Sequence, residues 1–135
     1  MEYWLLMGGA ALSLVGGLFH GVAGHKIYMG NINASNLEPI AKTLSLVSWH
    51  MFTILLIVGA GTLACVAYEP AMALMAYPII LVNAGGALMF AGLGLLGHGQ
   101  LLRLPGMYLM SGTAILAWLG ISYASERALG LGLQL

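Results

Sequence analysis

The sequence is poor in charge. Only 6% of its 135 residues are charged, and these are four Lys or Arg and four Glu, with no Asp. A soluble domain usually carries about 25% charged residues, because its surface must face water. The formal net charge is zero at pH 7, so the chain has no basic field that would attract nucleic acid. This composition excludes a soluble domain and indicates an integral membrane protein in the lipid bilayer.

The scarcity of charged residues also excludes most kinds of catalytic site. The chain has no Asp and one cysteine, and its serines are scattered, so no nucleophile is paired with a base. Its glycines lie within apolar runs and form no phosphate-binding loop. We therefore expect no catalytic activity of its own. Cys65 cannot form an internal disulfide, and we expect it to be a small buried residue.

Hydrophobic residues make up 61% of the chain and form four long runs without charge. A helix of roughly 20 apolar residues crosses a bilayer core. The sequence therefore predicts one all-α membrane domain over residues 1–135, an up-and-down bundle of four transmembrane helices. The predicted helices are approximately 3–25, 40–68, 71–97 and 104–125.

Two connections carry local signals. Ser35-x-x-Glu38 has the form of a capping box, with Asn36 as an alternative cap, and predicts that the second helix begins before the membrane. Pro78 lies early in the third run. Either the third helix kinks there, or residues 71–77 lie at the interface and the crossing helix begins at Pro78.

The basic residues predict an orientation. Three of the four basic residues lie at span ends on one side of the predicted membrane, and they are Lys26, Lys42 and Arg103. The fourth, Arg127, lies on the other side. The positive-inside bias then makes the first side cytoplasmic and leaves both termini outside. The start lacks the positive region of a cleavable signal, since Glu2 stands there, so we expect Met1 to be retained.

Small residues form two helical stripes. Such faces let helices approach closely in lipid, either within one bundle or against another subunit or a second copy. Both readings stay open from the sequence. The packing or docking residues are Gly9, Ser13, Gly17 and Gly21 on the first helix, and Ala84, Ala87, Ala91 and Gly94 on the third.

The histidines all fall in the half of the bundle marked by Lys26, Lys42 and Arg103. The helical rise places His20 and His50 on the order of 10 Å below that interface, on consecutive antiparallel helices. They could face each other and form hydrogen bonds with each other, with Thr53 or with helix carbonyls, as polar links between helices.

Two other interpretations of the histidines remain. In one, His20, His50 and His98 bind a metal or a haem iron, with soft thioethers available for copper. In the other, His20, His50, Asn83 and Glu38 form a quinone or proton site with Trp49 as a stacking wall, although no span contains a carboxylate. The candidate soft ligands are Met51, Met107 and Met110.

One pattern in the first half of the chain is similar to a known family. His20, Gly24, a polar loop and then Trp49-His50-x-x-Thr53 resemble small uncharacterised bacterial inner-membrane proteins of four helices, over residues 12–62. His25 stands where that pattern has an acidic residue. The resemblance implies a four-helix fold, an inner-membrane location and a pairing of His20 with His50, and it implies no activity.

From these observations we expect an accessory or assembly subunit that docks by glycine-rich faces to a larger membrane complex or to a second copy. The alternatives are a membrane redox protein with histidine-bound haem or copper, and a quinone or proton site at the histidines.

Overall fold

The computed structural model describes residues 1–128 and 130, and the side chains of residues 1–126 and 130. Every regular element in this part of the chain is helical. The first helix comprises α1 (Glu2–Leu18), a π-helical segment (Phe19–Gly24) and α2 (His25–Ala34). The later elements are α3 (Pro39–Tyr68), a 3-10 segment (Pro70–Met75), α4 (Ala76–Leu95), a second 3-10 segment (Gly99–Arg103) and α5 (Pro105–Ala128).

The predicted all-helical fold is confirmed. Four helical stretches are long and apolar enough to cross a membrane, and they are Glu2–Ala34, Pro39–Tyr68, Pro70–Leu95 and Pro105–Glu126. The predicted orientation counts Arg127 as the one basic residue on the side opposite the other three. The side chain of Arg127 lies outside the described residues.

The first helix is longer than predicted. We expected it to end near residue 25, but it continues without a break through Lys26 to Ala34. A charged residue marks where a helix leaves the apolar core, but it does not end the helix, because the helical hydrogen bonds continue in polar surroundings.

The predicted capping box at Ser35 is wrong. The hydroxyl of Ser35 donates to the carbonyl of Ile32 at 2.6 Å, so it belongs to the end of α2. α3 begins instead at Pro39, with Glu38 before it and no side-chain cap. Proline suits the first helical position, since the N–H it lacks would have no partner in the helix.

Pro78 does not kink a helix. α4 begins at Ala76, which places Pro78 in its first turn, where backbone N–H groups have no helical acceptor. Residues 70–75 form a separate 3-10 segment. This agrees with the second alternative from the sequence, in which the crossing helix begins close to Pro78.

α1 lies between α3 and α5, and α4 packs on the other side of α5. α3 and α4 make little contact with each other, and Gly59 against Ile79 is one point where they meet. One cluster of buried residues joins the four helices near the Tyr3 and Tyr68 end. It consists of Leu6, Ala10, Leu63, Val66, Ala67, Ala76, Ile80, Ala117 and Ile121.

The small residues of the first helix pack inside the bundle. A methyl group on Gly9 would lie 3.4 Å from Leu63 and 3.5 Å from the carbonyl of Thr113. Ser13 is buried, and its hydroxyl donates to the carbonyl of Leu56 at 2.8 Å. Gly17 approaches Ile57, and Gly21 approaches Thr53. The structure therefore uses this stripe for packing between its own helices.

The stripe on α4 is only partly covered. Gly94 is buried against Leu102, whereas Ala84, Ala87 and Ala91 are half-buried. Other glycines in the spans face open space, with no atom within 4 Å of an added methyl group. These include Gly61 on α3, and Gly85 and Gly92 on α4.

The helices differ in length, so one pair projects beyond the others. Gly16 lies against Leu109, and α5 begins four residues before Leu109, so α1 passes the start of α5 near His20. From that level the first helix continues to Ala34, about 20 Å further. We call α2, residues 35–38 and residues 39–48 of α3 the projecting hairpin.

This projection shows where the histidines lie along the bundle. Lys26 and Lys42, which flank the first two apolar runs in the sequence, lie on the projecting hairpin. His20 lies at the level where α5 begins, and His50 lies across from His25 at the base of the hairpin. Both therefore lie near the end of the four-helix region, and their depth below a membrane interface stays a prediction.

The opposite end of the bundle is rich in aromatic residues. The hydroxyls of Tyr3 and Tyr68 are 2.9 Å apart, and the ring of Trp4 packs on Tyr3 with centroids 5.1 Å apart. Cys65 is exposed on α3, so the expectation that it is buried is wrong. It lies just before Tyr68, where the helix surface is open.

Replacement of Gly120 by Ala is expected to destabilise the bundle. The added methyl carbon would lie 2.7 Å from Cγ of Leu6 and 3.3 Å from the backbone nitrogen of Leu6. That nitrogen is part of α1 and cannot shift without moving the helix. We expect a loss of about 1–3 kcal/mol in detergent unfolding experiments, as for overpacked cores. Gly61→Ala, which meets no atom within 4 Å, is the control and should not destabilise. Equal losses for both variants would contradict the packing described.

Candidate functional site

The polar and aromatic side chains of the chain gather at the base of the projecting hairpin. There the π-helical segment of the first helix crosses α3. We call the residues that meet at this point the histidine–aromatic cluster. Its members are His20, His25, Tyr28, Trp49, His50, Phe52 and Thr53.

The π-helical segment supplies a backbone acceptor to the cluster. The N–H of His25 donates to the carbonyl of His20, five residues earlier, as in a π-helix. The indole Nε1 of Trp49 donates to the same carbonyl at 3.1 Å. Single π turns inside helices are frequent at functional sites. Here the π turn is tied directly to a side chain of α3.

Two glycines let α3 approach this segment closely. A methyl group on Gly21 would lie 2.9 Å from Cγ2 of Thr53, and one on Gly24 would lie 2.8 Å from Cζ2 of Trp49. Any larger residue at these positions would push the helices apart. Gly21 thus faces Thr53, and Gly24, three residues further along the first helix, faces Trp49, one turn before Thr53 on α3.

His20 is held on three sides. Its ring stacks on Trp49 with centroids 3.8 Å apart and planes 12° apart, and the ring of Phe52 packs edge to face with its centroid 5.2 Å away. Its Nδ1 is 2.9 Å from the hydroxyl of Thr53, which also donates to the carbonyl of Trp49 at 3.3 Å. Thr53 was one of the partners expected for His20.

His50 does not pair with His20 as the sequence suggested. Its ring lies next to His25, with centroids 5.0 Å apart and planes 30° apart. Trp49, the residue before His50, takes the place against His20. Consecutive helical residues point in directions about 100° apart, so only one of the two can face His20.

The structure does not bring the predicted metal or haem ligands together. Among the described residues, no three His, Cys, Asp or Glu side chains lie close enough to hold one ion. His98 is exposed in the loop after α4, in a shallow groove lined by its sequence neighbours. Met110 is buried against Gly86, whereas Met51 is exposed and Met107 is half-buried on α5.

The predicted quinone site lacks its stacking surface. Trp49 is covered on both faces, by His20 at 3.8 Å and by Tyr28 at 4.4 Å between centroids. Asn83 is buried on α4, where its amide donates to the carbonyl of Ile79, and Glu38 is exposed at the start of α3. The groups expected to form this site are therefore distributed over separate parts of the molecule.

A shallow groove opens between α2 and α3 above His25. The ammonium of Lys42 donates to the carbonyl of Asn33 at 2.9 Å and joins the two helices there. No carboxylate among the described residues lies within ion-pair distance of Lys26, Lys42 or Arg103. The groove is lined by His25, Met29, Asn33, Lys42, Thr43 and Leu46.

The contacts at His20 join the first helix to α3. The Thr53 hydroxyl and the His20 carbonyl are bonded within the cluster, and both faces of Trp49 are covered. No carboxylate or thiol takes part to act as a nucleophile or to orient a base. The cluster fixes the base of the projecting hairpin against the bundle.

Sequence reasoning missed Tyr28 and Phe52 as members of the cluster. The π turn that aligns Tyr28 with Trp49 has no simple sequence signal. The glycines did offer a signal, because Gly21 and Gly24 lie about one turn apart on the first helix and meet Thr53 and Trp49, which lie one turn apart on the antiparallel α3.

Comparison of this chain with protein-family models, with curated proteins and with solved structures finds no match.

Replacement of Thr53 by Val should weaken the attachment of the hairpin. Valine keeps the methyl group that faces Gly21 but removes the hydroxyl bonded to His20. We expect a loss of about 1 kcal/mol in the free energy of unfolding. Thr53→Ser, which keeps the hydroxyl, serves as the control.

A double-mutant cycle with His20→Phe tests whether the bond itself is responsible. The two single losses should share a coupling energy of about 0.5–1.5 kcal/mol, because both variants remove the same hydrogen bond. Fully additive losses would show that His20 and Thr53 act independently.

Proposed function

We propose that this chain is a small accessory or assembly subunit of a larger membrane complex, located in a bacterial inner membrane. Lys26, Lys42 and Arg103, all at the hairpin end, favour a cytoplasmic position for that end. The proposal is carried by an apolar surface on α3 that extends beyond the bundle.

The outer face of α3 carries a continuous row of exposed apolar side chains. They recur at three- and four-residue intervals, which places them on one side of the helix. Each is between 47% and 65% exposed. We call this row the α3 stripe, and its members are Ile40, Leu44, Val47, Met51, Leu55 and Val58.

Lipid tails can cover only part of the α3 stripe. α4 ends, and α5 begins, near the level of His20 and His25. A bilayer whose thickness matches the length of these two helices therefore has its surface near that level. Ile40, Leu44 and Val47 lie on the projecting hairpin beyond that level. Contiguous apolar surface outside the bilayer core is typical of a protein interface.

The shape of the α3 stripe favours a helix as its partner. The row runs from the projecting hairpin into the four-helix region, where α3 and α4 make little contact. A transmembrane helix of another subunit that continues past the membrane surface would cover both parts. Gly61 faces open space one turn beyond Val58, towards Tyr68, and permits close approach of a partner helix at that end of the α3 stripe.

The histidine–aromatic cluster supports this role. The hydrogen bond from Trp49 to the carbonyl of His20, and the one between His20 and Thr53, join α3 to the first helix at the base of the hairpin, so the α3 stripe is ordered there before a partner binds. A surface that is already ordered loses less conformational entropy on binding.

The test is co-purification from native membranes in a mild detergent. The tagged chain should migrate on native gels in a complex larger than its own monomer, with other subunits in fixed proportion. Replacement of Ile40 and Leu44 together by Gln should reduce the recovered partner at least about tenfold, because it places two polar groups in the buried interface.

Ile27→Gln is the matched control, since Ile27 is 68% exposed on α2 and lies outside the α3 stripe. It should leave the complex intact. A chain that runs alone at monomer mass, or equal effects of the two variants, would contradict docking through the α3 stripe.

A further inference from the structure

The groove between α2 and α3 is a feature that the proposed docking role does not use. Its volume is about 260 Å³, a little below the range of about 300–1,000 Å³ that is usual for pockets holding drug-sized ligands. None of the residues that line it belongs to the α3 stripe. The groove therefore suits one small chemical group.

The groove offers hydrogen-bond donors and no acid. The ammonium of Lys42 donates one hydrogen bond, to the carbonyl of Asn33 at 2.9 Å, which leaves two of its three N–H groups for another acceptor. The side-chain amide of Asn33 lines the same groove and forms no hydrogen bond among the described residues. No carboxylate lines the groove. A ligand that fits here is an acceptor.

Lys42 has no counter-ion in the part of the chain that the structure describes. It is half-buried, and no carboxylate lies within ion-pair distance of its ammonium. The side chain of Glu38, four residues earlier, is exposed and forms no ion pair with it. A cation that is partly removed from water without an opposite charge is costly. An anion in the groove would remove this cost and gain a charge-assisted hydrogen bond.

The position of the groove indicates where the anion comes from. His25 lines its lower end, near the level where α5 begins, and Asn33 lies eight residues further along, which is about 12 Å. The headgroup layer of a bilayer is about 5–8 Å thick on each side of the hydrocarbon core. In a bilayer that matches the four-helix region, the groove therefore spans the layer that contains lipid phosphates.

The surroundings of the groove also match a phospholipid. Met29 and Leu46 form an apolar wall between His25 and Lys42, where glycerol and the first methylene groups of a lipid would lie. Lys26 and Arg103 add positive charge at the same end of the molecule. Basic pockets between membrane helices bind the headgroups of anionic lipids.

We propose that the groove between α2 and α3 binds the phosphate group of an anionic phospholipid. Lys42 and the side-chain amide of Asn33 donate to the phosphate oxygens, and Met29 and Leu46 contact the glycerol. The bound lipid joins α2 to α3 above the histidine–aromatic cluster. This inference does not depend on docking through the α3 stripe, because the two sets of residues are separate.

The experiment adds phosphatidylglycerol to the full chain in a neutral detergent. Native mass spectrometry measures the fraction of chains that carry one lipid over a range of lipid concentrations. We expect one phosphatidylglycerol per chain. Phosphatidylcholine should bind at least about fivefold more weakly, the loss expected when one net charge beside basic side chains is cancelled.

Lys42→Gln should weaken the binding of phosphatidylglycerol at least about tenfold, because it removes a hydrogen bond between two charged groups. Lys26→Gln is the matched control, since Lys26 is exposed at the same end of the molecule and lies outside the groove. It removes the same charge and should weaken binding less than about twofold at 0.15 M salt, where exposed charges are screened.

Asn33→Ala keeps the test decisive if Lys42→Gln loosens the hairpin. It removes the side-chain amide but keeps the backbone carbonyl that Lys42 uses, so α2 and α3 stay joined. We expect lipid binding at least about fivefold weaker, the scale of one hydrogen bond to a charged group. Unfolding curves of each variant without lipid report on folding.

Inorganic phosphate separates the two sources of the same chemical group. At the concentration of the lipid, it should not displace phosphatidylglycerol, because it makes no contact with the apolar wall. Displacement at equal concentration would assign the groove to free phosphate and overturn the lipid proposal. Equal binding of phosphatidylcholine, equal losses for Lys42→Gln and Lys26→Gln, or full binding by a folded Asn33→Ala variant would also overturn it.

Discussion

Close contact between the first helix and α3 is the constraint on which the rest of the structure depends. In lipid, apolar side chains gain little by leaving their surroundings, so helices associate by close packing and by hydrogen bonds between them. Gly9, Gly17, Gly21 and Gly24 provide the close packing along the whole contact. Ser13 and Trp49 add hydrogen bonds to backbone carbonyls of the facing helix. α5 and then α4 pack onto this pair.

Sequence composition and run lengths were sufficient to predict four helices, since charge is so rare that its positions mark the connections. The end of the first helix could not be predicted in this way. Lys26 was read as a boundary, but a helix continues wherever its backbone hydrogen bonds can form, and the sequence up to Ala34 contains no proline to stop it.

The candidate site was predicted in part. Thr53 was one of several hydrogen-bond partners considered for His20 and His50, and it lies against His20. The expected pairing of His20 with His50 required knowledge of which face of α3 is turned to the first helix. The face of α3 that is turned to the first helix depends on the π turn at Phe19–Gly24 and on its two glycines, Gly21 and Gly24. Both are tertiary features, and a periodicity of 3.6 residues does not reveal them.

The unequal helix lengths make the hairpin a lever. The histidine–aromatic cluster is its pivot, α1 and the lower part of α3 are held in the bundle, and residues near Ala34 form the free arm. A rotation of about 5° at the pivot would displace the tip by roughly 2 Å over an arm of about 20 Å. The contacts of Trp49 with the ring and carbonyl of His20 therefore decide, within a narrow range, where the far end of the hairpin lies.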